Sequence, residues 1–323
     1  MGKITVGVLR GGPSSEYDVS LKTGANVLNY LPADKYKAVD IFISKSGEWH
    51  LKGKAVAPHK VFPVVDVIFN AMHGEYGEDG EVQKILDTYN IPYTGSKKLA
   101  SRIAMRKDLA RDIVQKIGIK VAPALIIKKG EDVEEAAHNA FIKVGPPFIV
   151  KAAARGSSVG IIFANNIPEL SRAINEILKY DKVLLVEKRI KGREATCGVL
   201  EKFRGEKLYA MPTVEIIPPK DRPFFDYEAK YSGLTQEICP GRFNEKEKKE
   251  IQKIARAAHE ALGCRHYSRT DIMVAKDGMW YLETNTLPGL TAESLFPKSA
   301  NAIGCSLAQL LNHLITLALD RNN

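Results

Sequence analysis

Strand and helix patterns alternate along the first hundred residues, and this alternation restricts the possible folds more than any other feature of the chain. An apolar run at residues 3–9 predicts a first strand, followed by a Gly-rich turn and a helical pattern through Val27 and Leu28. Further apolar runs at 39–43 and 64–69 predict two more strands. Strands that alternate with crossover helices form parallel sheets, whose ligand loops gather at the carboxyl ends of the strands. We therefore expect an α/β fold with its site at that edge.

The pattern changes after Gly95, where helices and short strands follow one another less regularly. The predicted elements are a helix at 106–117, strands at 148–151 and 183–187, a helix at 245–262, a hairpin with strands at 272–274 and 279–283, and a terminal helix at 307–319. Residues 218–241 show no clear periodicity. A long irregular segment in a compact chain is usually functional, so we expect this one to act as a lid.

Length and charge narrow the class of protein. A chain of 323 residues suits two or three subdomains. The net charge of +9 is spread along the chain, which favours a small anionic substrate over a nucleic acid. No apolar run reaches the roughly 18–20 residues of a membrane helix, and the N-terminus lacks a signal-peptide pattern. We therefore expect a cytoplasmic protein without membrane contact. The four cysteines form no Cys-x-x-Cys pair, which argues against structural zinc.

The strongest local motif joins Arg269-x-Asp271 on one predicted strand to Glu283-x-Asn285 on the next. Side chains at positions i and i+2 point to the same face of a strand. Pairing of the two strands would bring Asp271, Glu283 and Asn285 together as a set of oxygen ligands, which Mg²⁺ prefers. A surface strand of alternating polar residues remains an equally good interpretation of this motif alone.

A second motif is Lys151 at the end of a predicted strand, followed by the glycine-rich residues 156–160. Glycines let backbone N–H groups approach phosphate oxygens closely, and a lysine adds a point charge. The order of residues is not that of a Walker P-loop. Taken alone, an ordinary hairpin turn explains this motif better than a phosphate site does.

Two further glycine-rich loops follow predicted strands in the first hundred residues. Glu16 closes the segment GGPSSE, where it either caps a helix or anchors a substrate ammonium group. His73 begins the segment HGEYGEDG, whose three glycines and three acids suit a ligand loop. His73 by itself could equally be a structural histidine with satisfied hydrogen bonds.

Read together and in order, these segments resemble the D-alanine–D-alanine ligases of the ATP-grasp superfamily. The matching stretches, which run from residue 11 to about 297, are GGPSSEYDVS, HGEYGEDG, IPYTGS, GSSVG, EKRIKGRE, DYEAKY, SRTD and ETNTLPGLTAESLFP. The resemblance implies an ATP-grasp fold of three parts, with residues 1–103 as an N-terminal parallel-sheet domain, 104–185 as a central subdomain and 186–323 as a C-terminal subdomain. ATP would lie between the last two, and the lid would occupy about 218–241.

The resemblance also implies roles for individual residues. The predicted catalytic residues are Glu16, Ser157, Tyr231, Arg269 and Gly289; the substrate-binding residues are Glu16, His73, Lys230, Arg269 and Ser294; the ATP-binding residues are Lys107, Lys151, Glu187, Ile190, Glu194, Phe224 and Leu282; and the metal ligands are Asp271, Glu283 and Asn285. Glu187 would accept the adenine amino group, whereas Arg269 and the Gly289 amide would stabilise an oxyanion.

The resemblance implies an activity, but it leaves close alternatives open. ATP and two D-alanine molecules would be the substrates, and Mg²⁺ or Mn²⁺ would be the cofactor. The product would be D-alanyl-D-alanine for peptidoglycan synthesis, and the protein would be a homodimer, as is typical of the family. One alternative is a related ligase that uses D-lactate or L-amino acids. The other is a nucleotide-binding protein without catalysis, which the intact metal and oxyanion residues disfavour.

Overall fold

A parallel core and an antiparallel margin make up the first sheet of the protein. The structure is a computed structural model that describes residues 2–156, 160–219 and 235–320. The sheet contains β1 (Ile4–Gly11), β2 (Tyr36–Ile43), β3 (Trp49–Leu51), β4 (Lys54–Val56) and β5 (Val67–Asn70), in the order β4-β3-β2-β1-β5. β1 pairs in parallel with both β2 and β5, as predicted, whereas β3 and β4 add an antiparallel edge that the sequence analysis did not foresee.

The helices beside this sheet are α1 (Tyr17–Tyr30) and α2 (Glu81–Thr88). The strand predicted at 64–69 begins later in the structure than expected. Phe62–Val64 is a short 3-10 helix, and β5 starts only at Val67. Pro63 accounts for the difference, because proline fixes its own φ and offers no N–H to a strand partner.

The second sheet is entirely antiparallel and carries two helices. It contains β6 (Ala124–Lys128), β7 (Phe148–Ala152), β8 (Ile162–Ala164) and β9 (Val183–Lys188) in the order β6-β9-β7-β8, with α3 (Lys98–Met105) and α4 (Lys107–Lys116) before it. The covering helices are α5 (Val133–Lys143) and α6 (Ile167–Leu178), each begun by a side-chain cap from Asp132 or Asn166. Their alanines and leucines pack on the buried face of the sheet.

The third sheet holds the predicted hairpin. It contains β10 (Arg193–Phe203), β11 (Glu206–Ala210), β12 (Val214–Ile217), β13 (Gln236–Ile238), β14 (Tyr267–Ala275) and β15 (Gly278–Asn285) in the order β13-β12-β10-β14-β15, with β11 also on β10. α7 (Glu245–Ala261), started by a capping box at Asn244, covers one face. The division at 103 and 185 stays a prediction, although the second sheet itself extends to Lys188.

The last two helices return to the first sheet and close its core. α8 is Leu295–Ala302, and α9 is Leu307–Leu319, the range predicted from the sequence. Leu310 and Leu314 of α9 are fully buried in one cluster with Val6 of β1. This packing brings the loop after β15 against α1, where the Asn26 side chain donates to the Leu290 carbonyl at 2.5 Å.

In the described ranges no single helix is long and apolar enough to cross a membrane, although the bent pair α8 and α9, which meet at 104°, passes that test on combined length and composition.

Residues 220–234 hold most of the predicted lid and lie outside the described residues, and so do residues 157–159. Four predicted site residues, Ser157, Phe224, Lys230 and Tyr231, are therefore not placed.

Candidate active site

The hairpin of β14 and β15 has the register that the motif spacing predicted. Asp271 pairs across the strands with Glu283, and Arg269 pairs with Asn285. The turn is formed by Lys276 and Asp277, one residue earlier than the predicted Asp277-Gly278, and Gly278, which pairs with Ala275, adopts a φ of 132° that suits glycine. An irregularity in the register lies just after Asp271, and such bulges often adjoin functional sites. The hairpin thus brings two carboxylates and one amide together.

Asp271 is held by three donors. Arg269 reaches its two carboxylate oxygens from Nε at 3.1 Å and from Nη2 at 3.0 Å, and Thr196 donates from Oγ1 to Oδ1 at 2.5 Å. Burial alone would lower the pKa of Arg269, but the charge and hydrogen bonds of Asp271 outweigh it, so that this pKa is raised. Thr196 has no motif in the sequence, because it lies 75 residues before its partner.

Glu283 forms an ion pair with Lys107, the first residue of α4, at 3.2 Å. The Lys107 ammonium also donates to the carbonyl of Arg155 at 2.6 Å, just before the glycine-rich segment. Two clefts meet at this pair, since both residues line both of them. Lys107 and Glu283 therefore form the junction of the site.

The larger cleft, about 930 Å³, lies between the second and third sheets. All the predicted ATP-binding residues that the structure describes line it: Lys107, Lys151, Glu187, Ile190, Glu194 and Leu282. Apolar side chains from both sheets, including Ile149, Phe163 and Met273, complete its walls. A cleft with apolar walls and a few placed charges suits a planar base that carries phosphates.

Glu187 sits between two cations in this cleft. Lys151 Nζ lies 2.7 Å from Oε2 of Glu187, and Arg111 Nη1 lies 3.3 Å from Oε1. Arg111 also donates from Nη2 to the carbonyl of Ala122 at 2.5 Å. The sequence analysis did not identify Arg111, whose partner is 76 residues away.

The smaller cleft, about 440 Å³, is lined by Glu16, Glu78, Lys107, Glu283 and Asn285 together with backbone around Gly156. Glu16 is 8% exposed at the start of α1 and makes no side-chain capping hydrogen bond. A Cβ at Gly156 would lie 2.7 Å from the Glu16 carboxylate, so this glycine allows the chain to approach. The geometry thus favours the ligand interpretation of Glu16 over the capping one.

Glu78 is a buried acid of this cleft that the sequence analysis passed over. Its carboxylate accepts from the Gly74 amide at 2.7 Å and from the Leu287 amide at 3.1 Å, which ties two loops from distant parts of the chain. Burial, and next the charge of Glu16, raise the pKa of Glu78 to about 8. The signal available in the sequence was its place among the acids of the HGEYGEDG loop.

His73 lies behind the smaller cleft rather than in its lining. Its Nε2 is 2.8 Å from the hydroxyl of Thr23, and only 4% of the residue is exposed. Burial lowers the pKa of His73 to about 4, so it is neutral near pH 7. Its predicted substrate contact stays a prediction.

The loop after β15 contains the two remaining predicted residues, Gly289 and Ser294. Ser294 accepts from the Thr291 amide at 3.1 Å and precedes α8. A Cβ at Gly289 would lie 2.8 Å from the Ser294 hydroxyl, so the two are neighbours. Neither lines the two clefts described above, and their roles stay predictions.

Two family models together match most of the chain. The model described as D-ala D-ala ligase N-terminus matches residues 5–62 and 53–96, and the model described as D-ala D-ala ligase C-terminus matches residues 113–316. The chain belongs to the D-alanine–D-alanine ligase family. The resemblance seen in the sequence is thereby confirmed.

The curated proteins and solved structures that are similar to this chain include ligases of the same family. The D-alanine--D-alanine ligase of Syntrophobacter fumaroxidans is 40% identical over 321 residues, 98% of each chain. Among solved structures, the VanG D-Ala:D-Ser ligase from Enterococcus faecalis has a TM-score of 0.86 at 31% identity, covering 98% of this chain and 100% of its own. The D-alanine--D-Alanine ligase from Bacillus anthracis has a TM-score of 0.83 at 33% identity, covering 98% and 97%. These neighbours confirm the predicted ATP-grasp fold.

Proposed function

We propose that this protein uses ATP to join two D-alanine molecules into D-alanyl-D-alanine, a peptidoglycan precursor. Membership of the family implies the use of ATP. The observation that carries the proposal is the meeting of two clefts at one ion pair, Lys107–Glu283. A cleft that suits a nucleotide adjoins one that suits a small zwitterion, which is the arrangement required to pass a phosphoryl group between two ligands.

The donor set of the hairpin fits a divalent cation. Among the residues that the structure describes, there is no group of three or more His, Cys, Asp or Glu side chains that could hold a metal ion. The proposed set has only two carboxylates, Asp271 and Glu283, with the amide of Asn285. One or two carboxylates completed by phosphate oxygens and water are what Mg²⁺ accepts, and Mn²⁺ accepts the same donors. When bound there, the cation would offset charge on the ATP phosphates.

The proposed reaction begins with the first D-alanine held in the smaller cleft. Glu16 would bind its ammonium group, leaving the carboxylate free to attack the γ-phosphoryl group of ATP, which gives an acyl phosphate and ADP. Lys107 stands at the junction of the clefts, where it would contact the phosphoryl group during transfer. Positioning and charge stabilisation supply most of the catalysis in such a step.

The second step forms the peptide bond. The amine of the second D-alanine attacks the acyl phosphate carbon, and phosphate leaves from the tetrahedral intermediate. Arg269, fixed by Asp271 and held cationic by its raised pKa, would stabilise the oxyanion together with the Gly289 amide. Ser157, Lys230, Tyr231 and Ser294 keep the substrate roles that the resemblance implies. A homodimer and a cytoplasmic location likewise remain predictions.

The experiment that tests the function measures phosphate release with mass detection of the product. Purified protein with ATP and Mg²⁺ is offered D-alanine, D-serine, D-lactate and L-alanine, alone and in pairs. We expect phosphate and D-alanyl-D-alanine from D-alanine alone. Dominant D-alanyl-D-serine would favour the activity named for the VanG neighbour, and phosphate released only with L-alanine would exclude the proposal.

A further inference from the structure

Arg111 forms an ion pair at 3.3 Å with Glu187, a charged residue that lines the larger cleft. We propose that it is a positioning residue that holds Glu187 in the wall of this cleft, so that the site selects a purine with a 6-amino group over one with a 6-oxo group. The inference rests on the proposed function only in taking a nucleoside triphosphate as the ligand of this cleft.

The place of Glu187 explains why it would read the edge of a base. It lies near the end of β9, paired across the sheet with Ala124 of β6 and Ile149 of β7. Its side chain is 12% exposed and shares the cleft with Ile149 and Phe163. A carboxylate among apolar walls can accept hydrogen bonds but cannot donate them. It therefore pairs with an exocyclic amine and repels a carbonyl oxygen at the same position.

The two cations at Glu187 differ in what else holds them. Arg111 has a second anchor, the Ala122 carbonyl at 2.5 Å, so its guanidinium is fixed at both ends of its fork. A lysine is a point charge on a flexible stem, whereas the planar guanidinium is preorganised for two acceptors. Lys151 is free to turn toward phosphate oxygens when a nucleotide binds, and Arg111 is not.

This difference assigns the two oxygens of Glu187 separate tasks. Movement of Lys151 to a phosphate releases Oε2, the oxygen that it holds at 2.7 Å. Oε2 then accepts from the 6-amino group of the base, while Arg111 keeps Oε1 in place. Without Arg111, no described cation would hold Glu187 once Lys151 had turned, and the carboxylate would lose its fixed orientation.

The test is the ratio of kcat/KM for ATP to kcat/KM for inosine triphosphate, in which oxygen replaces the 6-amino group. We expect Arg111→Met to lower this ratio about 10- to 100-fold, mainly through KM for ATP, because a hydrogen bond to a charged group is lost. Arg111→Lys should retain part of the preference. The matched control is Arg193→Met, which removes an arginine paired with Glu247 at 2.6 Å on the third sheet.

Two further measurements keep the test decisive. Calorimetric titration with non-hydrolysable ATP and inosine triphosphate analogues, without amino acids, reports base preference even if ligation of D-alanine fails. Glu187→Gln, whose amide both donates and accepts, should accept both bases and lower the ratio as Arg111→Met does. An unchanged ratio in either variant, or an equal fall in Arg193→Met, would overturn the role of Arg111; if Arg111→Met does not fold, Glu187→Gln and Arg111→Lys decide.

Discussion

Thr196→Val should weaken the proposed binding of Mg²⁺ in a protein that still folds, and the hydrogen bond from Thr196 to Asp271 gives the reason. Valine keeps the shape of the side chain, which is 1% exposed, but removes the hydroxyl that donates to Asp271 at 2.5 Å. Asp271 then relies on Arg269 alone among the side chains that fix it. Its orientation as a proposed ligand is therefore less well defined.

The change should affect both the stability of the protein and the concentration of Mg²⁺ that it needs. A hydrogen bond to a charged partner contributes roughly 1.5–3 kcal/mol, so Thr196→Val should lower the free energy of unfolding by that amount. Loss of a side chain that orients a metal ligand typically costs about 10- to 100-fold in metal affinity or activity. We expect the Mg²⁺ concentration for half-maximal phosphate release to rise by this factor, with kcat at saturating Mg²⁺ reduced less.

The matched control lies on the strand beside Thr196. Thr270 is also buried, and its hydroxyl forms a hydrogen bond with that of Thr284 at 3.0 Å rather than with the Asp271 carboxylate. Thr270→Val loses a neutral hydrogen bond worth about 1 kcal/mol and should leave the Mg²⁺ titration unchanged. If the two variants need the same Mg²⁺ concentration as the wild type, Thr196 does not orient a metal ligand and the reasoning fails.

Three other predictions concern catalysis, pH and packing. Glu283→Gln should fold normally yet lose roughly 10²–10³ in turnover at saturating Mg²⁺, whereas the surface change Glu260→Gln should not; equal activity of the two would remove Glu283 from the site. Because His73 stays neutral in the fold down to about pH 4 while an unfolded histidine takes up a proton below about 6.5, it contributes about 3 kcal/mol that is complete above pH 6.5 and is lost as the pH falls toward 4. Urea unfolding of His73→Gln should show a flatter pH profile across that range than the wild type. Leu314→Ala, at a fully buried position, should cost about 2–5 kcal/mol of stability, and a smaller loss by denaturant titration would show that α9 does not hold this core.

Short-range patterns in the sequence sufficed for the hairpin and for the parallel strands of the first sheet. Alternation at i and i+2 predicted that Asp271 and Glu283 would lie on one face of the hairpin. The register that follows from the turn would place Asp271 opposite Leu282, and the irregularity just after Asp271, which no local pattern predicts, brings it opposite Glu283. The antiparallel edge at β3 and β4 went unseen, since three-residue strands carry too little pattern to be told from loops.

The side chains that support the site could not be predicted in the same way. Thr196, Arg111 and Glu78 act on partners 75, 76 and 209 residues away, so no local spacing records their contacts. Residue type is equally uninformative, because threonines, arginines and glutamates are common on exposed faces. Only the fold shows that these three are buried or held against a cleft. The residues that are proposed to contact ligands lie in sequence motifs, whereas the residues that hold them in place are brought to them only by the fold.

The Lys107–Glu283 pair gives a physical reason for building one site from three sheets. An acyl phosphate is labile in water, so the group that forms it and the amine that consumes it must meet without release of the intermediate. Lys107 begins the helix that leads into the second sheet, Glu283 belongs to the third, and Glu16 follows the first strand of the first. Residues from all three of these parts line the smaller cleft, and Lys107 and Glu283 line the larger cleft as well. A change that separates the sheets by a few ångströms should therefore prevent the proposed phosphoryl transfer between the clefts, even where each cleft still binds its own ligand.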